Sequence, residues 1–142
     1  MKAAFLYNFA LFTEWPKTTD TSLRLCILGQ DPLGEALDEI EGQEVNGLKL
    51  RVVHLSNASA ARSCQILYLG ESVRAGVKNI LRELGDAPVL TVSDVEDLAK
   101  SGIMLHVFPE GRRLAFEVYA EPVKRAHLTL SPRLLRLARS VY

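Results

Sequence analysis

The chain has 142 residues, of which 48% are hydrophobic and 24% are charged, with 17 Lys and Arg against 17 Asp and Glu. This composition is ordinary for a globular domain and excludes disordered, collagen-like and disulfide-dense proteins. A formal net charge of zero provides no global field that would attract nucleic acid, so no nucleic-acid partner is expected. We expect a single domain over residues 1–142.

The first predicted element is an apolar helix over residues 2–13. Its aromatic residues at helical spacing are Phe5, Phe9 and Phe12. This stripe predicts a face packed in the core, and Pro16 ends the helix because proline disfavours helical geometry at the preceding residue. Trp15 lies beyond that end, so Phe12 and Trp15 are candidate anchors for a partner protein. The alternative is that Trp15 folds back over the sheet.

Apolar runs in the rest of the chain predict five strands separated mostly by helices. The predicted strands are 23–28, 48–55, 64–69, 88–92 and 103–108, and the predicted helices are 34–41, 73–84, 94–100 and 133–140. Ser131 and Pro132 are placed to start the last helix. A sixth strand over 114–119, after a short turn at 109–112, would pair antiparallel with the fifth.

This alternation predicts an α/β domain with three layers, in which helices cover both faces of a largely parallel sheet. Right-handed crossovers favour a flavodoxin-like strand order, 2-1-3-4-5, for the five predicted strands. The strand over 114–119 would be an added antiparallel edge. Because this fold hosts many activities, it decides nothing about function.

The sequence departs from the motifs that several enzyme classes require. The loop after the first predicted strand has the glycine spacing of a phosphate-binding loop, but Glu35 and Ala36 stand where Lys and Ser/Thr are needed. A phosphoacceptor receiver domain needs an Asp after the third strand, where this chain has Gly70 and Glu71, and Asp31 alone would not hold Mg²⁺. No Gly-x-Ser-x-Gly elbow occurs. We therefore expect no catalytic residues and no cofactor.

The three histidines do not indicate a metal site. His54, His106 and His127 are far apart in sequence, with no i, i+4 pairing and no Cys-x-x-Cys companion. We interpret them as ordinary strand or surface histidines, and no metal is expected.

Glu117 is a candidate ligand or partner contact. It lies between Phe116 and Val118 on the predicted edge strand, and alternation places it on the opposite face from them. Basic residues near it in sequence include Arg112, Arg113 and Lys124. The alternative is an exposed charge that protects the sheet edge from aggregation.

The two cysteines leave two alternatives open. Cys26 lies in the first predicted strand and Cys64 begins the third, and these strands are neighbours in the order 2-1-3. A bridge would close a loop of about 38 residues and contribute about 4 kcal/mol in the chain-entropy model. The alternative, which composition alone would favour without deciding the matter, is two reduced, buried cysteines of a cytoplasmic domain.

Several stretches of the chain resemble the YfiR family, in family order between residues 2 and 141. The most specific is the opening aromatic block at residues 2–10, together with Glu14, Trp15 and Pro16. The other stretches are 25–29, 31–34, 64–69, 88–94, 116–118 and 134–138.

The resemblance implies a periplasmic regulatory protein without catalytic activity. Members of this family bind the periplasmic region of an inner-membrane diguanylate cyclase, YfiN, and hold it inactive, which controls cyclic di-GMP signalling and biofilm formation. They are sequestered in turn by an outer-membrane lipoprotein, and they form homodimers. The same type of domain also occurs fused to membrane sensor proteins. The alternative is therefore a periplasmic small-molecule sensor domain excised from such a protein.

The resemblance also bears on the cysteines and on export. A periplasmic location favours a disulfide between Cys26 and Cys64. Some family members carry a second cysteine pair near the fifth strand, but this chain has two cysteines in all. Family members begin with an export signal that this chain lacks, and we expect that signal to have been removed.

Overall fold

The structure, a computed structural model, describes residues 2–16, 21–30, 33–98 and 101–142. Some positions used in the sequence analysis lie outside the described residues. They are Asp31 and Pro32, which follow the first predicted strand, and the last two residues of the predicted helix 94–100. Within the described ranges, no helix combines the length and the apolar character that crossing a membrane requires.

The described residues form four α-helices and four 3₁₀ helices. The α-helices are α1 (Lys2–Leu11), α2 (Val77–Leu84), α3 (Ala120–Arg125) and α4 (Pro132–Leu137), and the 3₁₀ helices are Gly34–Glu39, Ala58–Ser63, Glu71–Gly76 and Glu96–Leu98. Each predicted helix thus has a helical segment in its place. Most of the connections between parallel strands, however, contain only a short 3₁₀ helix. The predicted helices 34–41 and 94–100 have no α-helical part in the described residues and form the short 3₁₀ helices Gly34–Glu39 and Glu96–Leu98 instead.

Ten strands are described, and eight of them form one sheet. The strands are β1 (Thr13–Glu14), β2 (Ser22–Leu28), β3 (Glu44–Val45), β4 (Leu48–Leu55), β5 (Ile66–Leu69), β6 (Leu90–Ser93), β7 (Leu105–Glu110), β8 (Arg113–Val118), β9 (Thr129–Leu130) and β10 (Ser140–Val141). The sheet order is β3-β4-β2-β5-β6-β7-β8-β10, and β1 pairs with β9 in a separate antiparallel pair.

The α/β class and the largely parallel sheet are confirmed. Strands β4, β2, β5, β6 and β7 run parallel, and they correspond to the predicted strands 2, 1, 3, 4 and 5. Strand β8 is antiparallel to β7, as the predicted hairpin requires. The predicted count is wrong, because the sheet has eight strands, with additions at both edges, rather than five and one edge strand. These additions and the 3₁₀ crossovers distinguish the domain from a simple flavodoxin-like arrangement.

The two added edges have different physical causes. Strand β3 is joined to β4 by Asn46 and Gly47, which both have positive φ (51° and 87°) and so form the primed turn that fits a two-residue hairpin. Strand β10 follows α4, which ends at Leu137 instead of running to Ser140. Ser140 and Val141 then pair in parallel with Glu117 and Val118 of β8.

Alternation along the strands divides the core between the two faces of the sheet. On the first face, Leu25 and Ile27 of β2 pack in the cluster that includes Phe9 of α1 and Leu134 of α4. On the second face, the neighbouring residue Leu28 packs in the cluster that includes Ile80 of α2. Both faces are therefore covered over the parallel strands, as the three-layer prediction requires.

Cys26 and Cys64 form a disulfide, with their Cα atoms 6.1 Å apart. Cys26 lies in β2, and Cys64 caps the 3₁₀ helix Ala58–Ser63, two residues before β5 begins. Both side chains belong to the second core cluster. The pairing agrees with the expectation taken from the family resemblance, and it fixes this 3₁₀ helix to the centre of the sheet.

Candidate functional site

The second face of the sheet carries a polar cleft beside β6, β7 and β8. Its volume is ≈ 620 Å³. It is lined by Asp94, Glu96, Asp97, His106, Phe108, Pro109, Glu117, Tyr119 and Tyr142. We call these nine residues the acidic cleft. Asp94 and Glu96 follow the carboxyl end of β6, which is the edge where ligands bind in many parallel α/β sheets.

Strand pairing brings the side chains of the acidic cleft together. His106 of β7 lies opposite Glu117 of β8, and Glu117 lies opposite Ser140 of β10. Leu105 and Val107 point to the first core, so alternation directs His106 to the second face. Phe116 and Val118 likewise pack in the first core and leave Glu117 on the second face, as predicted from the sequence.

Glu117 is the acceptor at the centre of three hydrogen bonds. Its Oε1 accepts from Nδ1 of His106 at 3.0 Å and from the hydroxyl of Tyr119 at 3.2 Å. Its Oε2 accepts from the hydroxyl of Tyr142 at 3.2 Å. The side chains of His106 and Glu117 are 5% and 18% exposed, so the contact between these two side chains is largely shielded from water. The partners of Glu117 are thus not the basic residues that lie near it in sequence.

The network fixes the charge state of Glu117. Burial raises the pKa of its carboxyl group, but hydrogen bonds from His106, Tyr142 and Tyr119 outweigh burial and leave the pKa below its ordinary value of 4.5. An ionised carboxylate only accepts hydrogen bonds, so Nδ1 of His106 carries a proton and donates it. For Tyr119, burial and the negative charge of Glu117 raise the pKa to about 12.

Aromatic rings form two walls of the acidic cleft. The rings of Tyr119 and Tyr142 are stacked with their centroids 5.2 Å apart, and the rings of His106 and Phe108 are stacked at 5.7 Å. The buried Nε2 of His106 has no hydrogen-bond partner among the described residues. The acidic cleft therefore combines acceptor groups with flat apolar surfaces.

A second concave surface, of ≈ 650 Å³, lies at the amino ends of β2 and β4. We call it the aromatic groove, and its lining residues include Leu11, Phe12, Trp15, Leu23, Val45, Leu48, Leu130 and Pro132. Phe12 and Trp15 are both partly buried and pack against the first core cluster. The indole Nε1–H of Trp15 donates to the carbonyl of Gln65 at 3.0 Å, which holds the ring in place.

The structure therefore separates the residues predicted from the sequence into two groups. Phe12 and Trp15 line the aromatic groove together, whereas Glu117 lies in the acidic cleft. Sequence reasoning missed the roles of His106, Tyr119 and Tyr142 around Glu117. Counting outward from the hairpin turn after Glu110 would have placed His106 opposite Glu117, because Glu110 pairs with Arg113. The approach of Tyr142 depends on β10 and had no comparable signal.

The family model for YfiR/HmsC-like proteins, DUF4154, matches residues 1–139. The chain belongs to the YfiR/HmsC-like family. This result confirms the resemblance seen in the opening aromatic block and in the stretches after it.

Two solved structures share the fold of this YfiR/HmsC-like chain. A conserved domain protein from Vibrio cholerae O1 biovar El Tor is 10% identical with a TM-score of 0.61, over 84% of this chain and 54% of the other. The ABC domain from Streptococcus pneumoniae, solved in complex with L-Trp, is 9% identical with a TM-score of 0.55, over 87% of this chain and 56% of the other. The chain thus spans about half the length of these structures, and at such low identity the likeness concerns the fold alone.

Proposed function

We propose that this chain is a non-catalytic periplasmic regulatory protein that binds the periplasmic region of an inner-membrane diguanylate cyclase and represses it. Repression would lower cyclic di-GMP and limit biofilm formation. The observation that carries the proposal is the family match over residues 1–139. The disulfide between Cys26 and Cys64 supports it, because such bridges persist in oxidising compartments such as the periplasm.

Two further partners belong to the same proposal. An outer-membrane lipoprotein would sequester the repressor and so release the cyclase, and the repressor would act as a homodimer. Both are the partners that the family resemblance implies.

The direct test measures cyclic di-GMP. The chain, with an export signal added, is produced in a bacterium together with the membrane diguanylate cyclase encoded in the same genome. We expect cyclic di-GMP to fall in comparison with cells that produce the cyclase alone, and the same chain without an export signal serves as the control. An unchanged level in cells that contain the exported, folded chain would contradict repression.

For the cyclase, we propose the aromatic groove as the docking surface, with Phe12 and Trp15 as its anchors. Tryptophan is enriched at binding hot spots because it offers a large rigid surface and one polar group. Here the polar group already bonds to Gln65, so the ring is held before a partner arrives and loses little freedom on binding.

We expect Trp15→Ala to weaken binding to the cyclase's periplasmic region by about 2 to 4 kcal/mol. Affinity is measured by calorimetry at a temperature where thermal melting shows the variant to be folded. Leu137→Ala is the matched control, because Leu137 is a large hydrophobic residue, 66% exposed, that is not among the groove residues. Lower stability with unchanged affinity would instead make Trp15 a cover over the sheet and remove it from the interface.

The second candidate function is a periplasmic small-molecule sensor domain excised from a membrane sensor protein. The observation that favours it is the acidic cleft, whose Asp94 and Glu96 follow the carboxyl end of β6. A sensor would bind its ligand without any diguanylate cyclase, whereas a repressor has no activity without one. Genome context also separates the two candidate functions, because a gene that fuses this type of domain to a kinase would favour the sensor.

A further inference from the structure

We infer that the acidic cleft binds a small organic cation, with an ammonium group held by Glu117 and an apolar ring placed against the aromatic walls. This inference does not depend on repression of a cyclase, since it concerns a different surface from the aromatic groove. It rests on the charge of the lining, the free acceptor position of Glu117 and the aromatic stacking.

Among the described residues, those that line the acidic cleft include four carboxylates and no lysine or arginine. Two of its four carboxylates are paired with cations that approach from beside it: Asp94 with Lys2 at 2.6 Å and Asp97 with Arg74 at 3.3 Å. Glu96 is exposed and makes no ion pair with the described residues, and Glu117 is paired only with an imidazole and two hydroxyl groups. Within the described part of the chain, the cleft thus keeps uncompensated negative charge, which favours a cation.

Glu117 retains room for one more donor. A carboxylate has about four lone-pair positions, and three are filled by His106, Tyr119 and Tyr142. Oε1 accepts two of these bonds, so the open position is on Oε2, beside Tyr142. An ammonium N–H donates there at full charge, and a charge-assisted hydrogen bond is roughly twice as strong as a neutral one.

The aromatic walls indicate that the cation is organic. Tyr142 lines the cleft, is stacked on Tyr119 and is 61% exposed, so much of its side chain is accessible to a ligand. Ring faces attract cations and stack on flat apolar groups. Among the described residues, no three His, Cys, Asp or Glu side chains are arranged to hold a metal ion. A volume of ≈ 620 Å³ is ample for an amine that carries one aromatic ring.

The test uses three probes that share one ring: phenethylamine, its neutral counterpart 2-phenylethanol and the anionic phenylacetate. Isothermal titration of the full chain at neutral pH and low salt is expected to show binding of the amine. The alcohol should bind at least about tenfold more weakly and phenylacetate not measurably, because only the amine donates a charged hydrogen bond. Binding of the amine should weaken as salt is added.

Glu117→Gln is expected to reduce the affinity for phenethylamine at least about tenfold, because it removes the charge while keeping the shape. Glu83→Gln on α2 makes the same chemical change outside the cleft and should have no effect. If Glu117→Gln fails to fold, Glu96→Gln and Tyr142→Ala decide the matter. Both positions are exposed, and each substitution should lower the affinity for phenethylamine.

Three results would overturn the inference: no heat of binding with the amine, equal affinity for the amine and the alcohol, or full affinity in the cleft variants. None of these results bears on cyclase repression, which is measured by cyclic di-GMP and by variants of the aromatic groove. Repression could equally fail while the amine binds. The two proposals therefore stand or fall separately.

Discussion

Tyr119 keeps its proton to high pH because a carboxylate lies beside it. Burial and the charge of Glu117 raise its pKa from 10.0 to about 12. A pKa that is higher in the folded state gives a contribution to stability that is fully present below pH 10.0 and is lost as the pH rises toward about 12. We expect Tyr119 to ionise late when tyrosinate absorbance is titrated.

The variant Tyr119→Phe is the control for that titration. It should remove one tyrosine's share of the late phase and flatten the decline of the free energy of unfolding over the same pH interval. The mutation Tyr7→Phe, in α1, removes a different hydroxyl and should leave the late phase in place. Simultaneous ionisation of every tyrosine near pH 10 would show that Glu117 does not act on Tyr119 in solution.

Helix α4 shows how a local sequence feature starts an element. The Ser131 hydroxyl accepts a hydrogen bond from the backbone N–H of Arg133 at 3.2 Å, and Pro132 occupies the first helical turn, as the sequence predicts. The helix holds Leu134, which is 1% exposed, in the first core cluster. We expect Ser131→Ala to lower the free energy of unfolding by about 1 kcal/mol in urea denaturation.

Ser131→Asn tests whether the cap itself is responsible. Asparagine caps helices about as well as serine, so this variant should keep most of the stability that alanine loses. Equal losses in the two variants would indicate that packing around Ser131 matters instead of its hydrogen bond.

Some elements could be read from the sequence and others could not. The apolar runs that become β2, β4, β5, β6 and β7 are buried in a parallel sheet, so composition and spacing reveal them. Strand β3 can also be predicted from the sequence, because Asn46 and Gly47 are a strong hairpin dipeptide. Strand β10 cannot be predicted in this way, because its two residues become a strand only by pairing with β8, which is distant in sequence.

The same distinction applies to the acidic cleft. The face of Glu117 followed from alternation within one strand, which is local information. The contact of His106 with Glu117 also has a local signal, because the register of the hairpin places His106 opposite Glu117. The contact between Tyr142 and Glu117 joins residues 25 positions apart through β10, and no local pattern predicts it.

At the scale of the whole molecule, the disulfide is expected to make a large contribution to stability. It closes a loop between residues 38 positions apart, and in the chain-entropy model such a loop raises the free energy of unfolding by about 4 kcal/mol. Reduction should therefore shift the urea midpoint strongly downward. Mass spectrometry of non-reduced peptides should find Cys26 and Cys64 joined.

The double variant Cys26→Ala/Cys64→Ala provides the control for reduction. It should match the reduced protein and should be insensitive to reductant, because the chain has two cysteines in all. Two free thiols after oxidative expression, or equal urea midpoints with and without reductant, would contradict a stabilising bridge.

The bridge also limits how far the molecule can be stretched. Thirty-eight residues extend to about 130 Å at ~3.5 Å each, whereas the bridge holds their two ends 6.1 Å apart. In an optical trap that pulls on both termini, the oxidised protein should gain about 130 Å less contour length on unfolding than the reduced protein. Strands β3 and β4 lie inside the closed loop, so they would carry no tension even after the rest of the domain has been pulled apart.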